Sequence, residues 1–203
     1  CAYCFDFCGG SVPPLGRSDG ATTDMSVLTE VQDLEAVIRY AQSLPYTSDT
    51  LLLMGCSQGG MVSALTAAKH PDAVDRLVLF YPDFCLFYPA FCIPDDARAG
   101  HMMMAHFDPQ NLPEKIHCGP MPLGRCYPEA VMHMDVFREI TPYTGRVLIV
   151  HGTADGIVKP DYAKKAAEAY ANAELHLIDG GAHGFNRRHD AEAIRYLTAF
   201  AAL

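Results

Sequence analysis

The chain has 203 residues, of which 50% are hydrophobic and 19% are charged, a balance typical of one well-packed globular domain. Its formal net charge of −9 disfavours nucleic acid and anionic membrane surfaces as partners, because both attract basic faces. No apolar run approaches the roughly 18 residues that a membrane span needs. We therefore expect a small-molecule partner, no nucleic acid and no membrane.

The eight cysteines do not repeat at the spacing of a disulfide framework, and a domain of this size does not need disulfides for stability. We expect reduced thiols in a cytoplasmic protein. Cys1 and Cys4 have the spacing of a redox or zinc pair, but they fall on a strand pattern and no second such pair follows. The sequence thus predicts no metal and no cofactor.

The first elements in chain order are a short strand and a long helix. Residues 1–7 read as a buried strand, and a loop rich in proline and glycine follows. At residues 26–44 apolar residues recur every three to four positions, which predicts a helix with one buried face and with Asp24 or Ser26 as its cap. The charged residues between the apolar ones, Glu30 among them, are expected on the solvent side.

A strand, a sharp turn and a helix come next. The apolar run at residues 51–54 leads into GCSQGG, and a helical pattern begins directly after it. This is the setting of the nucleophile elbow, G-x-S-x-G, with Ser57 at its apex. The turn forces its central residue into a sparsely populated conformation, so small residues are expected on both sides, and Gly55 and Gly59 meet that demand. A glycine-rich turn with an incidental serine is the alternative.

Residues 82–142 interrupt the alternation of strands and helices. This interval holds nine of the fourteen prolines, and neither a helical nor a strand period runs far in it. Long irregular stretches inside compact domains are usually functional, and methionine and aromatic residues suit an adaptable apolar pocket. We predict a single domain over residues 1–203 with a cap inserted at about 83–141. A helical segment that only shields the core is the alternative.

Regular patterns return after the predicted cap. They are strands at residues 146–150 and 174–178 and helices at residues 160–171 and 190–202. We expect Ile194, Leu197 and Phe200 to form the buried side of the last helix. Strands that are apolar on both faces and alternate with helices predict an α/β fold with a doubly wound, mostly parallel sheet.

Polar side chains follow two of these strands. Asp155 comes a few residues after one strand, and His183 lies in the glycine-rich loop after the next. Functional groups gather at the carboxyl ends of strands in such sheets, and a serine nucleophile needs a base that a carboxylate orients. We therefore predict a catalytic triad of Ser57, Asp155 and His183, with Asp179 as the alternative acid. His151 is expected to pack or to hydrogen-bond within its loop.

These motifs resemble those of the α/β-hydrolases, and within them those of the bacterial cinnamoyl and feruloyl esterases. The resemblance rests on GCSQGG, HGTADGIV and GGAHGF, with FDF, SDG, MSVLTEVQDLEAVI, FDPQNLPEKI and PLGRCY adding to it. It implies an α/β-hydrolase fold and hydrolysis of carboxylic esters with aromatic or short acyl groups through an acyl-enzyme. It also implies that the backbone N–H of Gln58 binds the oxyanion and that Tyr127 contacts the phenolic end of the acyl group. Pro89 stands where those esterases have an acidic partner for that end.

The same resemblance implies a β-hairpin, a third strand and a His-Gly oxyanion loop ahead of FDF, about 40–50 residues at ordinary element lengths. We expect these residues to belong to a longer chain, and the given part alone to be poorly active because a second oxyanion donor would come from that loop. A serine aminopeptidase, a thioesterase or an acyltransferase could use the same triad. A non-catalytic ligand-binding homologue is a further alternative, and a homodimer is compatible with the sequence.

Overall fold

The structure, a computed structural model, describes residues 21–85, 110–118 and 121–202, so the predicted strand at residues 1–7 lies outside it. The strands in these ranges are β1 (Leu52–Cys56), β2 (Arg76–Phe80), β3 (Lys115–Cys118), β4 (Met121–Gly124), β5 (Arg146–Gly152) and β6 (Ala173–Ile178). The α-helices are α1 (Val27–Ser43), α2 (Gln58–Lys69), α3 (Cys126–Val131), α4 (Val136–Glu139), α5 (Pro160–Ala169) and α6 (Arg187–Ala202). No described helix combines the length and the apolar character that crossing a bilayer requires.

Four strands form one parallel sheet in the order β1, β2, β5, β6. Alternate side chains of β2 and β5 point to opposite faces, and both sets are buried. Leu79 and Ile149 belong to a core shared with α1, α2 and α5, while Val78 and Leu148 belong to a core shared with α6. Helices therefore cover both faces of the sheet, which confirms the predicted doubly wound α/β fold.

Strand β6 departs from the prediction that each strand is apolar on both faces. Ile178 is its only buried side chain, and Leu177 is 37% exposed. Within the described residues β6 pairs with β5 alone, so it is an edge strand of this sheet. Helix α6 packs on one side of β6, and the ring of its Tyr196 stacks on His176 with centroids 3.9 Å apart.

Helix α1 begins with a capping box that selects Ser26, not Asp24, as the cap. The Ser26 side chain accepts a hydrogen bond from the Thr29 N–H, and the Thr29 side chain accepts one from the Ser26 N–H. The expectation that Glu30 faces solvent is wrong, since its side chain is 1% exposed. Glu30 lies three residues after Val27, so the same helical period that buries the apolar stripe also buries this carboxyl.

The buried side of α6 also differs from the prediction. Ile194 is 56% exposed, whereas Ala193 and Phe200 are almost completely buried, together with His189. These three residues lie four and seven positions apart, which is the helical repeat that faces β5 and β6. Leu197 packs against this cluster at its edge.

The described parts of the interval 82–142 hold short regular elements. Strands β3 and β4 form an antiparallel pair of their own, and α3 and α4 follow. Strands of four residues and helices of four to six are too short to show a sequence period, which is why the pattern revealed none of them. Strands β2 and β5, which flank this interval, pair directly, so its described parts add no strand to the parallel sheet.

Candidate active site

Ser57 occupies a strained turn between β1 and α2. Its φ is 51° and its ψ is −127°, a region that glycine adopts readily and other residues rarely. Four backbone hydrogen bonds hold it there: the Ser57 N–H donates to Phe80 O at 3.0 Å, and Ser57 O accepts from the N–H groups of Gly60 and Asp83, both at 2.9 Å, and of Met61 at 3.4 Å. Such strain costs on the order of 1–3 kcal/mol. The end of β2 and the first turn of α2 together maintain the conformation of Ser57.

The glycines around the turn differ in what their positions demand. A Cβ at Gly55 would collide with the carbonyl oxygen of Gly59 and would lie 2.5 Å from Ser63 Oγ. The expectation that Gly59 must also be small is not met, because a Cβ there would have no neighbour within 4 Å. The second crowded position is Gly60, where a Cβ would lie 3.0 Å from Pro82 Cβ. The backbone carbonyl of Gly59 therefore lies close to Gly55, whereas a side chain at residue 59 would have room.

The structure brings together the three side chains predicted as a triad. Ser57 Oγ lies 2.9 Å from His183 Nε2, and His183 Nδ1 lies 2.8 Å from Asp155 Oδ2. The other carboxylate oxygen of Asp155 accepts hydrogen bonds from the N–H groups of Ile157 at 2.8 Å and Val158 at 2.9 Å. A carboxylate at Nδ1 holds the proton on that nitrogen, so Nε2 is left to accept the hydroxyl proton of Ser57.

Asp155 is held as a carboxylate by its hydrogen bonds. Burial alone would raise its pKa, but hydrogen bonds from His151, His183 and the N–H groups of Val158 and Ile157 outweigh burial and hold the pKa below its usual range. An ionised Asp155 can stabilise positive charge on the imidazole of His183. The alternative acid, Asp179, instead accepts a hydrogen bond from Thr153 at 3.3 Å in an exposed position.

His151 supports Asp155, a role that sequence reasoning did not identify. Its Nε2 lies 3.0 Å from Val158 O and 3.2 Å from Asp155 Oδ2. Because a carbonyl oxygen can only accept, Nε2 carries the proton, and the carboxylate shares it. His151 is completely buried, so the prediction that it packs agrees with the structure, but it lies within β5 and not in a loop after the strand.

Two aromatic residues lie near His183, Tyr81 in contact with its ring and Phe185 two residues after it, and both have positive φ. The values are 36° at Tyr81 and 54° at Phe185, and the two rings meet edge to face with centroids 4.9 Å apart. No sequence motif indicated a role for either residue at the site. Their position was the available signal, since Tyr81 directly follows β2 and Phe185 lies in the loop between β6 and α6, at the carboxyl ends of strands of the parallel sheet.

Gln58 is the first residue of α2, beside Ser57. The first N–H groups of a helix have no acceptor within it, and they lie at the positive end of the helix dipole. The Gln58 side chain is 3% exposed, and its Nε2 donates to Glu30 Oε2 at 2.6 Å. Its Oε1 accepts from the hydroxyl of Tyr127 at 2.6 Å. Tyr127 is fully buried in this arrangement, and its expected contact with a substrate stays a prediction.

Metal ligation is not suggested by this part of the molecule. Across residues 21–85, 110–118 and 121–202, no group of three or more histidine, cysteine or acidic side chains could hold a metal ion. Chemically, the polar groups near Ser57 could transfer a proton and could donate hydrogen bonds to a negative charge.

Comparisons with known proteins agree with the fold of this chain. Residues 4–105 match a family described as the alpha/beta hydrolase fold. No curated protein sequence is a significant match.

Among solved structures, Est1E from Butyrivibrio proteoclasticus with bound ferulic acid is 27% identical, with a TM-score of 0.77. That match covers 92% of this chain and 72% of Est1E. A second Est1E structure gives 25% identity and a TM-score of 0.75 over 88% of this chain and 71% of that one. DcsB in complex with a substrate analogue is similar in fold alone, at 19% identity and a TM-score of 0.71, over 91% of this chain and 76% of DcsB.

Proposed function

Because this chain belongs to the alpha/beta hydrolase family, we propose that it is a serine hydrolase that cleaves carboxylic esters through an acyl-enzyme. The observation that carries the proposal is the row formed by Ser57, His183 and Asp155, with contacts of 2.9 and 2.8 Å. The strained turn supports it further, since backbone strain of this kind gathers at reactive positions.

In the proposed reaction, Ser57 Oγ attacks the ester carbonyl carbon while His183 Nε2 takes the hydroxyl proton. Asp155 holds the imidazole and stabilises its positive charge, and the Gln58 N–H binds the oxyanion. The tetrahedral intermediate then collapses, and His183 gives its proton to the departing alcohol. A water molecule next attacks the acyl-enzyme with His183 again as base, which releases the acid and restores Ser57. General-base assistance contributes typically 10²–10⁴-fold to the rate.

We propose that the substrate is an ester of an aromatic acid of the feruloyl type. Esters with short acyl groups are the alternative substrates. The support is the likeness to Est1E, whose structure holds ferulic acid. By resemblance, Tyr127 would contact the phenolic end of that group, a role that competes with the hydrogen bond that its fully buried side chain donates to Gln58.

We also propose that the chain is a single domain whose residues 83–141 form a cap over the site. Two observations support this. Strands β2 and β5 on either side of the interval pair with each other, and Tyr127 of α3 reaches the first residue of α2.

The test is turnover of p-nitrophenyl acetate by the full-length protein and labelling of Ser57 by a fluorophosphonate probe. We expect Ser57→Ala to lower kcat by at least about 10⁴-fold, and Asp155→Asn by on the order of 10³–10⁴-fold because the imidazole loses its orienting carboxylate. The control is Ser63→Ala. Ser63 is a buried serine of α2, and its replacement should leave turnover unchanged. A burst of p-nitrophenol from Ser57→Ala would remove Ser57 from the mechanism.

The same preparation can separate ester hydrolysis from the related reactions. An aryl ester, an acyl thioester and an amino-acid amide should be assayed side by side, and we expect the aryl ester to give the highest kcat/KM. A wild-type protein that the probe does not label and that turns over none of the three would favour a non-catalytic ligand-binding protein.

A further inference from the structure

Three buried side chains from three helices form one hydrogen-bonded line behind the nucleophile turn. Glu30 of α1, Gln58 of α2 and Tyr127 of α3 are 1%, 3% and 0% exposed. Tyr127 Oη lies 2.6 Å from Gln58 Oε1, and Gln58 Nε2 lies 2.6 Å from Glu30 Oε2. Gln58 Nε2 donates to the Glu30 carboxyl, and Gln58 Oε1 accepts from the phenol of Tyr127. Both ends of the Gln58 amide are therefore held, each by a different helix.

Filling this part of the core with a buried carboxyl costs free energy of folding. Glu30 Oε1 is buried and, among the described residues, accepts no hydrogen bond. Burial raises the pKa of Glu30 to about 7, Asp33 adds to the rise, and the hydrogen bond from Gln58 opposes it. A buried apolar side chain of similar volume would avoid this cost, so packing alone does not account for a glutamate here.

What the line holds is the residue whose backbone N–H lies next to Ser57. Gln58 is the first residue of α2, and its peptide group directly follows the strained Ser57. An oxyanion donor acts only if it lies about 2.7–3.1 Å from the developing charge, and small displacements lower the rate steeply. Anchoring the side chain of Gln58 at two points restricts the movement of its Cα and hence of its N–H.

We propose that Glu30 and Tyr127 are positioning residues that fix the oxyanion-binding N–H of Gln58 by holding both ends of its side-chain amide. The proposal rests on the ester-cleaving function proposed above. Because every ester substrate develops the same oxyanion, loss of either anchor should lower kcat by one common factor whatever the acyl group. A Tyr127 that contacts the acyl group would instead change the preference between acyl groups.

The experiment compares Glu30→Met, Glu30→Gln and Tyr127→Phe in the full-length protein. Methionine removes the acceptor for Gln58 Nε2, glutamine keeps an oxygen in its place, and phenylalanine removes the hydroxyl that donates to Gln58 Oε1. Each variant is assayed for kcat and KM on p-nitrophenyl acetate and on methyl ferulate, for fluorophosphonate-titrated active sites, and for Tm.

Two control variants remove matched groups elsewhere. Glu35→Met is on the same helix, where Glu35 pairs with Lys69 at 2.6 Å and with His70 at 3.0 Å around the far end of α2. Tyr143→Phe removes the hydroxyl of another fully buried tyrosine, which donates to Val74 O at 3.0 Å. Both controls should lower Tm while leaving kcat per titrated site within about twofold of wild type.

We expect Glu30→Met and Tyr127→Phe to lower kcat about tenfold on both esters by the same factor, since a displaced donor costs less than a deleted one. KM should change little, and Glu30→Gln should recover most of the kcat that Glu30→Met loses. The inference is overturned if both variants match the controls in kcat, or if Tyr127→Phe acts on methyl ferulate alone. A wild-type protein without turnover or labelling would instead overturn the proposed function, so the two failures are distinct.

Discussion

The phenol ring of Tyr81 meets the imidazole of His183 edge to face, with their ring centroids 4.8 Å apart. Tyr81 is the first residue after β2, and its N–H donates to Val150 O of β5 at 2.7 Å. This hydrogen bond fixes a backbone whose φ of 36° is rare for a residue with a side chain. The turn thus holds the ring of Tyr81 against the imidazole of His183.

We expect Tyr81→Ala to lower kcat/KM by about two- to tenfold, because an aromatic pair of this geometry contributes about 0.5–1.5 kcal/mol. Tyr81→Phe keeps the ring and should lose much less. Both variants keep a side chain at the same positive φ, so the comparison isolates the ring. Steady-state ester hydrolysis measures the effect, and equal activity in the alanine and phenylalanine variants would contradict it.

The strain at Ser57 should appear as a stability difference between two inactive variants. Ser57→Gly and Ser57→Ala both lack the hydroxyl, but glycine tolerates the φ of 51° and alanine does not. We expect Ser57→Gly to be the more stable of the two by about 1 kcal/mol in urea unfolding. At Ser63, within α2, the order should reverse, because glycine is about 1 kcal/mol worse than alanine inside a helix. The same order at both positions would argue against strain at Ser57.

The two glycines of the elbow should respond differently to a methyl group. At Gly55 a Cβ would collide with the Gly59 carbonyl, so Gly55→Ala should lower the free energy of unfolding by roughly 1–3 kcal/mol or prevent folding. At Gly59 the space is open, so Gly59→Ala should be neutral or stabilising by up to about 1 kcal/mol. Chemical denaturation of both variants tests this, and a comparable loss of stability in Gly59→Ala would contradict it.

Glu30 should make stability fall as pH rises through neutrality. Burial raises its pKa from 4.5 to about 7 in the folded state, so between these values the folded protein holds a proton that the unfolded chain releases. The stabilisation is fully present below about pH 4.5 and is lost as pH rises through 7, an effect on the order of 3 kcal/mol. Glu30→Gln should remove this pH dependence. The free energy of unfolding of the variant should therefore rise relative to that of the wild type from pH 5 to pH 8.

Urea unfolding at several pH values measures this difference directly. Glu35→Gln serves as the control, because its carboxyl is on the same helix and the pKa of Glu35 is lowered by its hydrogen bond to Lys69. A difference between Glu30→Gln and wild type that stays constant from pH 5 to pH 8 would show that Glu30 does not titrate in this range.

The local patterns of the chain were sufficient to predict the elements that carry the candidate triad. An apolar strand followed by GCSQGG and a helix predicts a tight turn at Ser57, because only a strained backbone joins such elements so closely. Asp155 and His183 were predicted from their places after two strands, because parallel strands direct their carboxyl ends to one edge of the sheet. These inferences need only short-range periodicity and the rule for parallel sheets.

The sequence by itself therefore determined the α/β fold and identified the three side chains that this fold brings together. Only the tertiary structure decided which neighbours those side chains would have. Glu30 lies 28 residues from Gln58, and Tyr127 lies 69 residues from it, yet all three meet in one line. The charge of Glu30 favours the solvent side, and helical period identifies no buried partner for it. That choice depends on how α1, α2 and α3 pack against one another, because the pairing of buried polar groups is fixed by contacts between elements and not by periodicity within one.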